Sequence, residues 1–452
     1  MNLIQKYNVA APRYTSYPTV PYWDENNFNL DSWKSLLKTS FQESNDQDGI
    51  SIYIHLPFCE KLCTYCGCNK YITINHSVEE PYIQAVLNEW RLYLQVFEQK
   101  PRIREIHLGG GTPTFFSATN LQALLNGLCK DAILLPDASL SFEGHPNNTT
   151  EAQMQTLYNL GFRRMSLGIQ DFDPKVQDII NRIQPFETVA RVVNQARAIG
   201  YTSINFDLIY GLPLQTDASV KTTIDQVMLL RPDRISFYSY AHVPWVKGVG
   251  QRRYSEADLP KDEEKRALYE LGKTLFASHG YTEIGMDHFA LPGDELMTAY
   301  EAGKLHRNFM GYTVTHTSLL VGLGASAIGD NWYAYAQNEK NITAYQRLVN
   351  SGTFPIVRGH LLSREDLLIR KHIHALMCKF ETSWNREDTQ CDAIMEGLER
   401  LQELEKDGLV NVLPKKITVT PQGKPFIRNI CMAFDARLWK QLPQTQIFSK
   451  AI

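Results

Sequence analysis

The clearest chemical signal in this 452-residue chain is a ten-residue segment with four cysteines, Cys59-Glu-Lys-Leu-Cys63-Thr-Tyr-Cys66-Gly-Cys68. The C-x3-C-x2-C spacing of Cys59, Cys63 and Cys66 can place three thiolates on three irons of a cuboidal four-iron four-sulfur cluster. The fourth iron then keeps an open position, which a metal needs for chemistry on another molecule. We interpret Cys68 as a neighbour of the cluster, because a C-x-C partner would crowd the open iron. A fourth thiolate from Cys68 is the alternative.

Two other uses of cysteine compete with this interpretation. A zinc site usually shows two close cysteine pairs, or cysteine pairs with histidine pairs, and no second pair lies downstream here. A disulfide framework is typical of small secreted domains and not of a chain of this length. The other four cysteines are scattered singly, as buried thiols usually are: Cys129, Cys378, Cys391 and Cys431.

The elements that must position these cysteines alternate between short apolar runs and amphipathic stretches from about Gly49 to about Gly285. One amphipathic stripe is Val78, Tyr82, Val86, Trp90, Leu94 and Phe97. The predicted strands are Ser51–Leu56, Glu105–Leu108, Leu140–Glu143, Arg164–Leu167, Ile204–Ile209, Arg234–Tyr238 and Glu283–Gly285. This alternation predicts an α/β fold with a parallel sheet, in which ligands bind beyond the carboxyl ends of the strands.

Unusual polar or glycine clusters follow six of these strands. They are Cys59–Cys66, Gly109–Thr112, Glu143, Gln170, Asp207 and Ala241. Because the carboxyl ends of parallel strands meet at one rim, we expect the six clusters to lie close together.

Each cluster has a functional and a structural interpretation. The glycines after the second strand allow close approach to an amino-acid group, or simply make a turn. Glu143 and Asp207 can accept from hydroxyls or an ammonium group, and Gln170 with Arg182 can bind a carboxylate. The structural alternative is a set of salt bridges at the rim. Tyr53 and Tyr65 flank the cysteines and either stack on a ligand or belong to the core.

The composition describes a globular protein without a strongly charged surface. Hydrophobic residues make up 43% and charged residues 21%, so a large core can form. The net charge of −3 argues against a general binder of nucleic acid or anionic membranes. No apolar run approaches the roughly 20 residues of a membrane span, and the first residues form no apolar signal core. We therefore expect a soluble, cytoplasmic protein.

We expect three units along the chain. Residues 1–48 form an arm and one helix, and prolines keep the segment Pro12–Pro21 extended. The structural alternative for this arm is a tail draped on the surface. Residues 49–360 form the catalytic barrel with an extension. Residues 361–452 form a mainly helical, winged-helix-like unit, which either binds DNA or, in line with the lack of basic surplus, closes over the barrel mouth.

With these residues assembled, the chain resembles the oxygen-independent coproporphyrinogen III oxidases (coproporphyrinogen dehydrogenases) of the radical S-adenosylmethionine (SAM) superfamily over essentially its full length. The features that carry the resemblance are Pro12-Arg-Tyr-Thr-Ser-Tyr-Pro-Thr19, His55-Leu-Pro-Phe-Cys59 with Cys63, Cys66-Gly-Cys68, Gly109-Gly-Gly-Thr-Pro-Thr114, Gly168-Ile-Gln-Asp-Phe172, Asp207-Leu-Ile-Tyr-Gly-Leu-Pro213, Gly285-Met-Asp-His-Phe-Ala290, Arg307-Asn-Phe-Met-Gly-Tyr312 and Arg428-Asn-Ile-Cys-Met432.

The resemblance implies a partial (β/α)6 barrel and an oxidoreductase of porphyrin (haem) biosynthesis. Such an enzyme oxidatively decarboxylates two propionates of coproporphyrinogen III to vinyl groups and forms protoporphyrinogen IX. A 5′-deoxyadenosyl radical, generated from SAM at a 4Fe-4S cluster, would start the reaction. The resemblance also implies one or two SAM molecules per chain, a reduced flavodoxin or ferredoxin-type electron donor, no nucleic-acid partner, and a monomer.

By this resemblance, Cys59, Cys63 and Cys66 ligate the cluster. The first SAM is held around Tyr53, Tyr65, Gly110, Glu143 and Ile328. A second SAM or the substrate is held around Gly111, Thr112, Gln170, Arg182, Asp207 and Ala241. The arm Arg13–Thr19 helps to shut the site, and Arg13 and Arg307 are candidate partners for the substrate's carboxylates.

The chain departs from the family pattern at Glu143-Gly-His-Pro146, where we expect Glu-Val-Asp-Pro, so His145 replaces an acid. Two functional alternatives stay open. One is a haem chaperone on a related scaffold, which binds haem without turning over coproporphyrinogen. The other is a radical SAM enzyme that acts on another tetrapyrrole.

Overall fold

The computed structural model describes residues 2–244, 250, 251, 253–384 and 391–451. Helices α1–α15 are, in chain order, Leu3–Tyr7, Leu30–Ser44, Glu79–Phe97, Ala118–Cys129, Glu151–Asn159, Pro174–Ile179, Phe186–Ile199, Asp217–Leu230, Asp262–Ser278, Glu295–Glu301, Ile342–Asn350, Arg364–Lys379, Asp392–Lys406, Ile427–Met432 and Ala436–Lys440. Strands β1–β19 are Ile50–Leu56, Phe58–Cys59, Tyr71–Ile72, Arg102–Gly110, Ile133–Gly144, Arg164–Gln170, Ser203–Tyr210, Arg234–Ser239, Thr282–Gly285, His288–Ala290, His306–Asn308, Gly311–Thr313, Leu320–Leu323, Ile328–Asp330, Ala334–Asn338, Ile356–Leu361, Glu381–Ser383, Val410–Leu413 and Lys416–Val419.

A single large sheet organises the catalytic part of the chain, in the order β16-β15-β14-β13-β1-β4-β5-β6-β7-β8-β10-β9. The strands β1, β4, β5, β6, β7 and β8 are parallel neighbours, and β13 joins them in parallel beside β1. Among the described residues β16 and β9 form the two ends, so the sheet is an open barrel. The predicted α/β fold with a partial barrel is confirmed.

All seven predicted strands are present, and most are longer than the apolar run that marked them. The seventh is β9, Thr282–Gly285, which lies at one edge of the large sheet. Strand β10 lies between β9 and β8 and is antiparallel to both. The short strand β10 has too few residues to produce a recognisable period-two pattern.

The main core lies between this sheet and the helices around it. On β1, Ile50, Ile52 and Ile54 are fully buried beneath the helices, so the alternate residues face the interior of the barrel. The predicted stripe on α3 packs as expected, with Tyr82 and Trp90 buried in this core.

The first 48 residues contribute to two cores and are not a tail draped on the surface. Trp33, Leu37 and Phe41 of α2 belong to the barrel core. Tyr14 and Tyr17 of the arm instead pack into a second core with the C-terminal helices. Tyr14 also has a left-handed backbone (φ 47°), so the arm bends where we predicted an extended segment.

The C-terminal residues form helices beside a small antiparallel sheet of order β17-β19-β18. The helices α12 and α13 pack against this sheet. Within the described part of the chain, no helix combines the length and apolar character needed to cross a bilayer.

Candidate active site

The cysteine segment forms a loop that leaves the first barrel strand and is anchored across the barrel mouth. Cys59 ends β2, and the amide of Cys66 donates to the carbonyl of Cys63 at 3.2 Å. The amide of Thr64 donates to the carbonyl of Ile180 at 2.9 Å, and Asn181 Nδ2 donates to the carbonyl of Leu62 at 2.7 Å. These bonds hold the loop on the segment that follows α6.

A cavity of about 510 Å³ opens at the carboxyl ends of the parallel strands, as the fold rule requires. The cysteine loop forms one side of it. The predicted site residues that line this main cavity are Cys59, Cys63, Tyr65, Cys66, Gly110, Gly111, Thr112, Glu143, Gln170, Arg182 and Asp207. The tertiary structure therefore brings residues from strands β4, β5, β6 and β7 to the cysteine loop.

The donors around the thiols fit an iron–sulfur cluster. Arg182 Nη1 donates to Cys63 Sγ at 3.5 Å, and Cys59 Sγ lies 3.3 Å from Thr112 Oγ1. Hydrogen bonds of this kind to cluster sulfurs tune a reduction potential. Burial raises the pKa of the Cys59 thiol to about 11, so metal binding must displace its proton.

Cys68 also lines the main cavity and lies beside Cys66. A hydrogen bond from Cys68 lowers the pKa of Cys66 to about 6, and Lys70 Nζ donates to the carbonyls of both residues at 3.2 and 3.3 Å. In the described ranges, no three His, Cys, Asp or Glu side chains converge closely enough to hold a single metal ion. A cuboidal cluster instead offers a separate iron to each thiolate, so its ligands do not have to converge on one point.

The glycine turn after β4 requires glycine at two positions. Gly110 has a φ of +116°, and a Cβ there would lie 2.9 Å from the ring of His55. A Cβ on Gly111 would lie 2.6 Å from the carbonyl carbon and oxygen of Pro57, directly before the cysteine loop. The turn therefore lies directly against the cysteine loop, and both glycines line the main cavity.

Two carboxylates extend from the strands beside this turn. Glu143 Oε2 accepts from the amide of Gly110 at 3.2 Å, and its side chain is 44% exposed. Asp207 accepts from Ser166 Oγ at 2.7 Å and from Asn205 Nδ2 at 2.9 Å. Burial raises the pKa of Asp207 to about 6. Both carboxylates can accept hydrogen bonds from hydroxyl or ammonium groups in the cavity.

Gln170 and Arg182 meet at the end of β6. Arg182 Nη2 donates to the carbonyl of Gly168 at 2.5 Å, whereas its buried Nε has no partner among the described residues. Burial lowers the pKa of Arg182, but the neighbouring Tyr65 and Cys63 raise it by more, so this pKa lies above its ordinary value. Gln170 has a φ of 68°, an uncommon conformation for a non-glycine residue and one found at ligand sites. Together these side chains can bind a carboxylate.

Two predicted residues lie behind the wall of the main cavity. The Tyr53 ring stacks on His107, a lining residue, at 6.0 Å. Tyr53 pairs in register with Gly322, where an added Cβ would meet the carbonyl of Ile328 at 2.5 Å. Tyr53 and Ile328 are thus neighbours beside the cavity and do not line it in this structure.

Ala241 also lies outside the lining, yet it is tied to the cysteine loop by a residue that we did not predict. Gln251 Nε2 donates to the carbonyls of Ala241 at 2.9 Å and Tyr65 at 3.2 Å. Gln251 Oε1 accepts from the amide of Val243 at 2.7 Å. Its distance from both partners along the chain leaves no sequence signal.

The sequence reasoning also missed polar residues that line the interior of the barrel. They are Glu105, His107, Ser141, Arg164, Ser166, Asn205, Arg234 and Ser236. Each strand contributes every second residue, and this period-two placement of polar residues among apolar ones was the available signal. We recognised only the last polar residue of each strand.

His145, which stands where we expected an acid, takes part in the hydrogen bonds of the turn after β5. The His145 amide donates to Thr114 Oγ1 at 3.2 Å, and its Nδ1 accepts from the amide of Asn147 at 3.2 Å. Burial, with Arg182 and Lys61 nearby, lowers the pKa of His145 to about 2. A neutral ring therefore lines the main cavity at the position where we expected an acid.

The comparisons with known proteins agree with one another. The model of the radical SAM superfamily matches residues 53–227. The oxygen-independent coproporphyrinogen III oxidase of Salmonella typhimurium is 39% identical over 455 aligned positions, which cover 100% of this chain and 98% of that protein. The enzyme of the same name from Pseudomonas aeruginosa is 39% identical over 97% of this chain and 95% of its own. The structure of coproporphyrinogen III oxidase from Escherichia coli, described as a radical SAM enzyme, superposes with a TM-score of 0.88 at 38% identity and covers 94% of this chain and 97% of its own.

Proposed function

The chain belongs to the family of oxygen-independent coproporphyrinogen III oxidases, and from this premise we propose that it oxidatively decarboxylates two propionates of coproporphyrinogen III to vinyl groups. The product is protoporphyrinogen IX, and the protein is an oxidoreductase of haem biosynthesis. The observation that carries this function is that the cysteine loop and the polar ends of strands β4 to β7 line one cavity.

Cys59, Cys63 and Cys66 are the residues that would hold a 4Fe-4S cluster, since their soft thiolates line the cavity with donors to sulfur around them. When bound, the cluster and SAM together supply a 5′-deoxyadenosyl radical that removes hydrogen from the substrate. Cys68 lies beside Cys66 and is proposed as a neighbour that is not a ligand.

The protein's own residues would position SAM through polar contacts. The backbone of Gly110 and the Glu143 carboxylate, which are joined by a hydrogen bond, are placed to receive its ammonium group. Tyr65, which lines the cavity, would contact this first SAM. Tyr53 and Ile328 would support its site from behind the cavity wall, Tyr53 through its stack on the lining residue His107.

A second group of residues would hold a second SAM or the substrate. Arg182 carries an unpaired buried N–H beside Gln170, which suits a carboxylate. Asp207 would accept from a hydroxyl group, and Gly111, Thr112 and Ala241 would complete this side. A carbon radical formed between these two groups would require water to be kept out of the cavity.

One anaerobic turnover experiment tests the proposal. Purified protein with a reconstituted cluster is incubated with SAM, a reductant and coproporphyrinogen III. The amount of 5′-deoxyadenosine formed and the mass of the tetrapyrrole product are then measured. Loss of two carboxyl groups with two vinyl groups formed is expected. Haem binding without vinyl product would instead favour a chaperone, and ring opening would favour another tetrapyrrole enzyme. Duplex DNA affinity at low salt is not expected.

The remaining assignments extend the same proposal. We propose a reduced flavodoxin or ferredoxin as electron donor, a monomer, a cytoplasmic location, and units at residues 1–48, 49–360 and 361–452. Sedimentation of the holoenzyme tests the monomer, and replacement of the chemical reductant by each reduced donor protein tests the donor.

A further inference from the structure

A second cavity of about 290 Å³, here called the arm cavity, lies beneath the N-terminal arm. Its walls are arm residues 14–17, the β11–β12 hairpin with the segment after it, residues around β14 and β15, and helix α12. Its volume is near the lower end of ligand pockets, about 300–1,000 Å³, so it suits a side chain or a small molecule.

The lining of the arm cavity is cationic. Arg307, Arg370 and Lys371 line it, and Asp330 is the one acidic residue in the described lining. Asp330 is already committed to Arg370, whose Nη2 lies 2.5 Å from Asp330 Oδ2. Arg307 and Lys371 have no carboxylate partner among the described residues, so the cavity has an excess of positive charge.

Hydrogen-bond donors at the arm cavity are also unpaired. Arg307 Nε and Nη1 are buried donors with no partner among the described residues, and His306 Nδ1 is a buried ring nitrogen that also lacks one there. Buried donors of this kind carry a desolvation cost unless an acceptor reaches them. An acceptor that brings negative charge would satisfy both the unpaired donors and the excess charge.

Three histidines stand together at this cavity. The ring of His306 lies 4.7 Å from that of His316 and 4.5 Å from that of His374. His374 Nε2 accepts from the amide of Arg307 at 3.2 Å, so the neutral ring carries its proton on Nδ1 and is a donor. Burial lowers the pKa of His374 to about 4, so this ring adds a donor without adding charge.

Two aromatic residues of the lining hold uncommon backbone conformations. Tyr14 has a φ of 47° and Trp332 a φ of 67°, both in the left-handed region that bulky residues avoid. The conformation of Trp332 is held by Asp330 Oδ1, which accepts from its amide at 2.9 Å, and by Arg370, which donates to its carbonyl. Backbone strain of this kind concentrates at ligand clamps.

The arm cavity is separated from the main cavity by one layer of side chains. Arg307 lies 4.5 Å from the ring of Tyr312, and Tyr312 lines the main cavity. The arm borders both spaces, because Arg13 lies 5.7 Å from the ring of Tyr238, another main-cavity residue. Arg13 itself is paired with Asp287 at 2.6 Å, so of these two arginines only Arg307 lacks a carboxylate partner among the described residues.

We propose that the arm cavity is a carboxylate subsite in which Arg307 and Lys371 bind the carboxyl group of a ligand whose apolar part packs on Tyr14 and Trp332. This inference rests on the proposed function, which supplies a substrate with four carboxylate side chains. The same chemistry would also suit a free small carboxylate.

Direct binding to the holoenzyme tests the subsite. The probe is coproporphyrin III, the oxidised tetracarboxylate that cannot turn over, and its tetramethyl ester lacks the charges. We expect Arg307→Gln to weaken coproporphyrin III binding about tenfold or more, the effect of losing a charged hydrogen bond, and to leave ester binding unchanged. Arg307→Lys should recover part of the affinity.

A second variant tests the subsite independently in case Arg307→Gln does not fold. Lys371 is exposed on α12, so the Lys371→Gln variant should fold normally. Its affinity for coproporphyrin III should be about threefold lower than that of the wild type. The matched control is Lys379→Gln, an exposed lysine at the end of the same helix that does not line the cavity. This control should bind both porphyrins like the wild type.

The outcomes separate the two sources and the two proposals. If coproporphyrin III affinity falls in the variants, the ligand is a tetrapyrrole carboxylate. If that affinity is unchanged but sodium propionate stabilises the wild type against heat and not the variants, the ligand is a free carboxylate. If neither response changes, the subsite is excluded. If the Arg307 variants bind coproporphyrin III less tightly than the wild type, but the wild type forms no vinyl product, the proposed function is refuted and the subsite is not.

Discussion

Replacing Gly111 with alanine should disable the site through a single methyl group. The added Cβ would lie 2.6 Å from the carbonyl carbon and oxygen of Pro57 and 3.0 Å from the carbonyl oxygen of Phe58. Ordinary contact begins at 3.4 Å, so the backbone before Cys59 must retreat by roughly 0.8 Å. Backbone cannot rotate away as a flexible side chain can, and the displacement passes directly to the first cluster ligand.

The size of the effect follows from this displacement. Overpacking of this kind costs about 1–3 kcal/mol, which the whole protein should survive with a small loss of melting temperature. A shift of nearly 1 Å in a reacting group, however, costs about a hundredfold in rate. We therefore expect Gly111→Ala to fold, and to cleave SAM about a hundredfold more slowly than the wild type.

The assay is anaerobic 5′-deoxyadenosine formation, normalised to the iron content of each preparation. Gly67→Ala is the matched control, because Gly67 lies in the same loop and has nothing within 4 Å of its added Cβ. The control should retain wild-type iron and rate. Wild-type SAM cleavage by Gly111→Ala, or an equal loss in Gly67→Ala, would refute the reasoning.

Three further predictions concern the cluster ligands and two buried acids. Cys63→Ala should abolish cluster assembly, whereas Cys68→Ser should keep the cluster, as judged by iron content and visible absorbance. Because burial raises the pKa of Asp207 to about 6, binding of the second SAM or of the substrate should weaken as pH falls below 6, and Asp207→Asn should bind that ligand weakly without this pH dependence. Burial raises the pKa of Glu89 from 4.5 to about 7, so the folded state holds its proton more tightly than the unfolded state. Unfolding free energy should therefore fall by up to about 3 kcal/mol as pH rises from about 4.5 to 7, and Glu89→Gln should remove this component.

Each of these predictions has a result that contradicts it. Loss of cluster iron from Cys68→Ser would make Cys68 the fourth ligand. Affinities for both SAM and coproporphyrin III that are constant from acid to neutral pH would show that Asp207 takes no part in binding. Parallel pH profiles of stability for the wild type and Glu89→Gln would mean that Glu89 is charged in the folded protein over this range.

The barrel strands and the catalytic rim were predictable because both leave local patterns. Apolar runs bounded by turn residues marked β1, β4, β5, β6, β7 and β8, and the polar residue after each run marked the carboxyl edge. The parallel-sheet rule then placed Glu143 and Asp207 at one rim, and both line the main cavity.

Residues whose role depends on distant partners were not predictable. Gln251 joins Tyr65 and Ala241 across 186 and 10 positions of sequence, and no local period reflects this. The interior polar residues Arg164 and Arg234 had only a weak period-two signal, because both faces of these strands are buried.

The sequence by itself determined the chemistry: three thiolates at a spacing suited to one cluster, glycines where a side chain cannot fit, and carboxylates at strand ends. The tertiary structure decided where the arm lies and what it encloses. Tyr14 Oη donates to Asp435 at 3.0 Å across 421 positions, and the arm thereby covers the cationic cavity around Arg307. Spacing along the chain encodes local geometry and ligand type, whereas enclosure arises from packing between segments that local periodicity does not connect.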